Sequence, residues 1–223
     1  MSACLHGGFV ATGKVQYFSD SELGNGFKKY EQWLNNLCDT NSHFDQIFKE
    51  CTLASSNWLI HRDDFEKVGA FNTQILPEDY HLLFRLYEYG LEIKSTPKVT
   101  HLWRDHTQRA SRNLEEYQDQ KFFSLKVQYF KKFYPESKVS LWGAGPTGKK
   151  LAKELISAGI SFHWVTNNQR KIGKNIYGVD LCDYRSLEER IDNKLIISVT
   201  QRGSLDSIKS YLKSINLDTF YEF

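Results

Sequence analysis

Val139-Ser140-Leu141-Trp142-Gly143-Ala144-Gly145-Pro146-Thr147-Gly148-Lys149-Lys150-Leu151-Ala152 decides how the second half of this chain folds. Four residues of β character run into three glycines at G-x-G-x-x-G spacing. A helical pattern then continues to Ala158, and Gly159 stops it. Ile160 to Thr166 reads as a second strand. Leu195 to Val199 and Thr219 to Phe223 read as later strands, with a helix at Leu205 to Ile215. Strands alternating with helices predict a small parallel sheet with helices on its faces.

In that setting each glycine has a task. Gly143 permits the tight turn, Gly145 lets backbone approach a pyrophosphate, and Gly148 lets helix and strand pack closely. The N–H groups of the following helix face an anion. A site for NAD usually carries an acid after the next strand, whereas this chain has Asn167-Asn168, followed by Lys171 and Lys174. Two readings stay open. One is a nucleotide-binding Rossmann-like oxidoreductase or regulatory module, with NAD(P) as its cofactor. The other is a Rossmann-like domain whose glycines only make the turn.

Upstream, Pro135-Glu136-Ser137 marks a change of pattern. Residues 113–137 read as a connecting helix and linker, rich in aromatics from Tyr117 to Phe133. Before it lies the less regular first part, 1–112. Phe9 to Thr12 and Val15 to Phe18 predict two short strands or a hairpin around Gly13-Lys14. Leu53 to Ile60 predicts a buried strand, and Asp63-Asp64 the capped start of a helix ending near Gly69. Leu91 to Lys94 and Val99 to Trp103 predict two strands separated by Pro97. Pro77-Glu78-Asp79 opens another helix, with Leu82, Leu83, Leu86, Tyr87 and Tyr89 at helical spacing and Gly90 as its stop.

Composition sets limits. The chain has 223 residues, of which 40% are apolar and 14% aromatic, so global disorder is excluded. A net charge of +2 does not point to nucleic acid. The four cysteines form no CxxC pair, so neither a zinc cluster nor a disulfide framework is indicated. Neither a bilayer-spanning apolar run nor a signal peptide is visible, and a cytoplasmic location is expected. Ser55-Ser56 lacks the glycines of a nucleophile elbow. His101 and His106 could face one site from a strand and a loop.

The order Ala54 to Ile60, Ile60-His61-Arg62, Phe65 to Asn72 (Phe-Glu-Lys-Val-Gly-Ala-Phe-Asn), Pro77 to Leu82, Arg85, Gly90 and a basic tail from His106 to Arg112 resembles the acceptor half of family 2 glycosyltransferases of the GT-A fold. The resemblance implies a partial GT-A-like α/β domain followed by the Rossmann-like module. It implies sugar transfer from a nucleotide-sugar donor to a glycan or lipid-linked acceptor, at or near the inner face of a membrane. Asp79 matches the general base of inverting members, with Glu78 orienting the site. His106, Arg109 and Arg112 fall where the donor diphosphate lies. The family also uses Mg or Mn on an Asp-x-Asp motif, and this sequence contains none. The chain is therefore expected to be part of a longer protein, with most of the donor site upstream.

Overall fold

The structure is a computed structural model that describes residues 7–20, 22–72, 74–75, 77–105, 119–199 and 203–223, the side chains of 119–121 excepted. The chain divides into two compact units, Met1–Lys121 and Phe122–Phe223.

The first unit is built on a three-stranded sheet. Strand β1 (Phe9–Ser19) lies in the middle. Helix α1 (Asn25–Thr40) covers one face, burying Leu34 and Leu37 against Val15 and Tyr17. Strand β2 (Trp58–Ile60) pairs with β1 antiparallel. Helix α2 (Arg62–Lys67) and helix α3 (Glu78–Glu88) follow. Strand β3 (Glu92–Asp105) runs parallel to β1 along its whole length.

Here the structure departs from the sequence reading in four places. The expected hairpin at 9–18 is one continuous strand. Gly13 makes no turn; a Cβ there would lie 2.5 Å from Thr100 Oγ1 and 2.8 Å from Thr96 Cγ2. The two strands expected around Pro97 are likewise one strand. Gly13 pairs with Thr96, Lys14 with Val99 and Val15 with His101, so Pro97, Lys98 and Thr100 bulge out of register. A bulge on a strand paired on one side accommodates a residue without an N–H. The strand expected from Leu53 is confined to Trp58–Ile60. His61, not Asp63 or Asp64, caps α2: its ring accepts the Asp63 N–H. Asp64 instead accepts the Gly8 N–H at 2.6 Å and anchors the start of β1.

Helix α4 (Asp119–Phe133) lies mostly in the second unit, where its Phe130 packs edge-on to Tyr221 and Phe223. The sheet of this unit contains β4 (Val139–Trp142), β5 (Phe162–Thr166), β6 (Asn175–Ile176), β7 (Val179–Asp183), β8 (Lys194–Ile197) and β9 (Phe220–Glu222). Helices α5 (Pro146–Ser157) and α6 (Ser204–Ser214) connect strands. Strand order is β6-β7-β5-β4-β8-β9, with every pairing parallel except β6 to β7. The β6–β7 hairpin was not expected. Its two-residue turn, Tyr177-Gly178, has φ of 54° and 81°, the left-handed pair that matches strand twist. Trp142, Val165, Leu187, Leu195, Ile208 and Leu212 form the buried core on the α6 side. Trp142 stacks on Tyr184 there.

Candidate functional site

Strand β4 occupies the middle of the second sheet. The chain leaves it through α5 to β5, runs out to the edge strand β6 and back inward to β7, then crosses to place β8 on the other side. The direction of winding therefore reverses between β4 and β8. In open α/β sheets, ligand sites form at the carboxyl ends of the strands at such a point. The turn Gly143–Gly148 sits there. The second unit is a Rossmann-like module.

The three glycines divide into two kinds. Gly143 has φ 129°, and a Cβ on it would lie 2.6 Å from Ser198 Oγ. A Cβ on Gly148 would lie 2.2 Å from the Gly143 carbonyl oxygen and 2.8 Å from Ser198 Oγ. Helix, turn and β8 meet too closely at both positions for any other residue. Gly145 differs. Its φ of −76° and ψ of −174° suit most residues, and a Cβ would meet nothing within 4 Å among the described residues. It is the N-cap of α5, with no side-chain cap, Pro146 next and no acid in the first turn. The end of α5 thus presents N–H groups with a partial positive charge to open space.

Several side chains hold this turn. The Trp164 indole donates to the Gly143 carbonyl at 2.8 Å from within the core. Ser198 donates through its backbone and hydroxyl to the Trp142 carbonyl. Lys171 reaches from the loop after β5, and its ammonium donates to the Ala144 carbonyl at 2.6 Å. Asn167 and Asn168 are exposed at the end of β5. The sequence pointed to Lys171, but not to its contact with the turn.

The second candidate lies at the mouth of α3. Pro77 is its N-cap rather than its first helical residue, and Glu78 and Asp79 form the first turn. Asp79 Oδ1 accepts the Tyr80 N–H at 2.7 Å. Burial, reinforced by Glu78 and Glu50, holds the Asp79 carboxyl above the usual carboxylate range despite that hydrogen bond. Glu78 Oε2 is buried without a hydrogen-bond partner among the described residues. Around them, Cys51 is buried and its thiol is pushed well up by burial and by these acids. The Tyr30 hydroxyl donates to the Cys51 carbonyl at 3.1 Å. Tyr80, fully buried, donates to the Ile47 carbonyl at 2.5 Å. The face of α3 that packs inward is Tyr80 to Phe84 and Leu86, whereas Tyr87 and Tyr89 are exposed.

Arg85 proves to be a structural part of the motif read from sequence. It donates to the Val68 and Ala70 carbonyls and so ties α3 to the turn after α2. Gly69 and Ala70 there have φ of 85° and 49°. His101 bonds Ser56 at 3.0 Å. His106, Arg109 and Arg112 lie outside the described residues. Among the described residues no group of three or more His, Cys, Asp or Glu could hold a metal ion. No helix among them is long and apolar enough to cross a membrane. A cavity of about 530 Å³ opens at the opposite end of the second sheet, lined by Tyr134, Lys138, Ile160, His163 and Asn193, far from the glycine turn.

No protein-family model matches the chain, and no curated protein does. Among solved structures it is similar to UDP-D-quinovosamine 4-dehydrogenase from Vibrio fischeri, at 22% identity and a TM-score of 0.32, covering 39% of this chain and 77% of that one. It is also similar to RSP, a Rex-family repressor, at 15% identity and a TM-score of 0.36. RSP in complex with beta-NADH gives 14% and 0.37; both RSP matches cover 92% of this chain and 81% of that one. At these TM-scores the likenesses carry no weight, and the Rossmann-like description rests on strand order and the glycine turn.

Proposed function

We propose that the second unit binds the diphosphate of a nucleotide at Gly143–Gly148, the ligand being a nicotinamide dinucleotide or a sugar nucleotide. One observation carries this reading. Packing demands glycine at 143 and 148, and nothing among the described residues demands it at 145. A residue without a side chain at an open helix N-terminus is what a closely approaching phosphate requires. The N–H groups of α5 would take the phosphate oxygens, and Trp164 and Ser198 would keep the turn rigid. This favours an oxidoreductase or regulatory module over a purely structural one. Calorimetric titration with NADH, NADPH and UDP-glucose tests it. At least one should bind, and Gly145→Val should abolish that binding while leaving the melting temperature nearly unchanged. Binding that survives Gly145→Val would sink the reading.

The state of Asp79 favours a second reading, for the first unit: glycosyl transfer. A general base works best when its pKa is raised toward the working pH, and burial raises that of Asp79. In this reading Asp79 takes the proton from an acceptor hydroxyl as that oxygen attacks the sugar's anomeric carbon, and Glu78 orients the acceptor. Arg109, Arg112 and His106 would face the donor diphosphate. The donor is a nucleotide sugar, and the acceptor a glycan or lipid-linked glycan. The buried, unpartnered Glu78 Oε2 supports a polar ligand at this mouth. Sugar transfer should fall at least about 100-fold in Asp79→Asn; unchanged turnover would remove Asp79 from the role.

A further inference from the structure

Lys171 does something that the glycine turn alone does not require. Its loop is fixed by backbone bonds: Lys171 N–H to Asn168 carbonyl at 2.8 Å, Gly173 N–H to Leu181 carbonyl at 2.7 Å, and Lys174 N–H to Lys171 carbonyl at 3.1 Å. From this fixed base the half-buried side chain crosses to β4 and sets its ammonium on Ala144, between the two glycines that open the turn. The loop therefore delivers a positive charge beside the open position at Gly145.

Asn168 adds a second constraint. Its side-chain oxygen accepts the Arg170 N–H at 3.0 Å, and its own N–H is bound to Thr166 Oγ1 at 3.2 Å. The amide oxygen already accepts one hydrogen bond, and the NH2 group can donate to a ligand. A free ribose diol is held by an acceptor, normally a carboxylate at this place. Here Asn167 and Asn168 offer neutral amides and no carboxylate. The local sequence is basic: from Val139 to Gly178, Lys149, Lys150, Lys153, Arg170, Lys171 and Lys174 stand against the single acid Glu154, and the next acid near the end of β5 is Asp183, in register with Thr166.

We infer that the glycine-turn site takes a nucleotide whose ribose carries a phosphomonoester, and that Lys171 and Asn168 select it. The inference rests on the reading of Gly143–Gly148 as a nucleotide site. On binding, the Lys171 ammonium exchanges a neutral carbonyl for an anionic phosphate oxygen and gains the attraction of opposite charges. Both the 2′-phosphate of NADPH and the 3′-phosphate of coenzyme A present that chemistry, so two pairs of probes separate them.

The test is calorimetry on the whole chain with NADPH against NADH and coenzyme A against dephospho-coenzyme A. In one pair the phosphorylated member should bind about tenfold tighter or more, and that pair names the position of the phosphate. Lys171→Met should erase the margin within that pair, whatever loss of the Ala144 bond does to the binding of both members. Asn168→Asp should lower affinity for the phosphorylated member and raise it for the other. Equal affinity within both pairs, or a margin that survives Lys171→Met, overturns the selection while leaving the nucleotide site intact. If none of the four probes nor UDP-glucose binds, the nucleotide site itself falls, and this inference with it.

Discussion

Gly145 and Gly148 look alike in sequence and differ in what constrains them. The motif spacing revealed three glycines and a turn, which was enough to place a strand, a bend and a helix. It could not reveal which glycine serves packing and which faces open space. That depends on Ser198, a residue 50 or more positions further on, and on how closely α5 approaches β8. A pair of variants separates the two. Gly148→Ala forces a methyl group onto the Gly143 carbonyl, at 2.2 Å, and should cost about 1–3 kcal/mol in urea unfolding. Gly145→Ala adds a methyl group to open space at an ordinary backbone conformation and should change stability by less than about 0.5 kcal/mol. Equal destabilisation by the two would mean that Gly145 is also held by packing.

Helix α3 shows the same limit for an element. Its start, its acids and its stop were all legible. Gly90 closes it with φ 70°, and Leu91 N–H returns to the Leu86 carbonyl at 3.1 Å, a glycine-stopped end that local sequence encodes. What sequence did not carry is the long-range anchoring. Arg85 was read as part of a motif, and its task is to bind two carbonyls 15 and 17 residues upstream. Arg85→Met leaves both without that donor and should destabilise the chain by about 2–3 kcal/mol, measured by chemical denaturation. The bulge around Pro97 failed to show for a related reason: parallel pairing with a strand some eighty residues earlier decides it, and a local reading sees only a break.

Asp79 gives α3 a pH signature. Because burial raises its folded pKa above the 3.8 of the free carboxyl, the folded chain favours the neutral acid. That preference stabilises fully below the unfolded pKa and disappears as pH rises through the folded one. At neutral pH the chain therefore carries a buried charge that costs stability. Asn keeps the acceptor for the Tyr80 N–H and removes the charge. Asp79→Asn should then be more stable than the parent at pH 7, with the difference closing below about pH 3.8. Stability that is lower at pH 7 would show that the ionised carboxylate has a partner, and would weaken the case for a base kept at a cost for its chemistry.

At the scale of the whole molecule, the glycine-turn site falls within Phe122–Phe223, and Glu78 and Asp79 fall within Met1–Lys121. The second unit was the more legible because its strands are short, consecutive and joined by local βα steps. The first depends on β1 and β3, distant in sequence and parallel along their length. The same division says where a ligand should be felt. A ligand at one hundred times its dissociation constant stabilises the state that binds it by about 2.7 kcal/mol. The glycine turn joins β4 to α5, and Ser198 joins it to the end of β8. Amide exchange should therefore slow most at Val139–Trp142 and Lys194–Ile197, the buried strands that flank the switch point. It should also slow across the Asn168–Lys174 loop, if Lys171 moves from Ala144 onto a phosphate. Hydrogen exchange with and without saturating NADPH measures each segment separately. Protection that appears in the strands but not in the loop would assign the site to the α5 terminus alone and free Lys171 from any part in it. Protection confined to the opposite end of the sheet, around Tyr134, His163 and Asn193, would move the ligand to the cavity there and leave the glycine turn as a matter of packing.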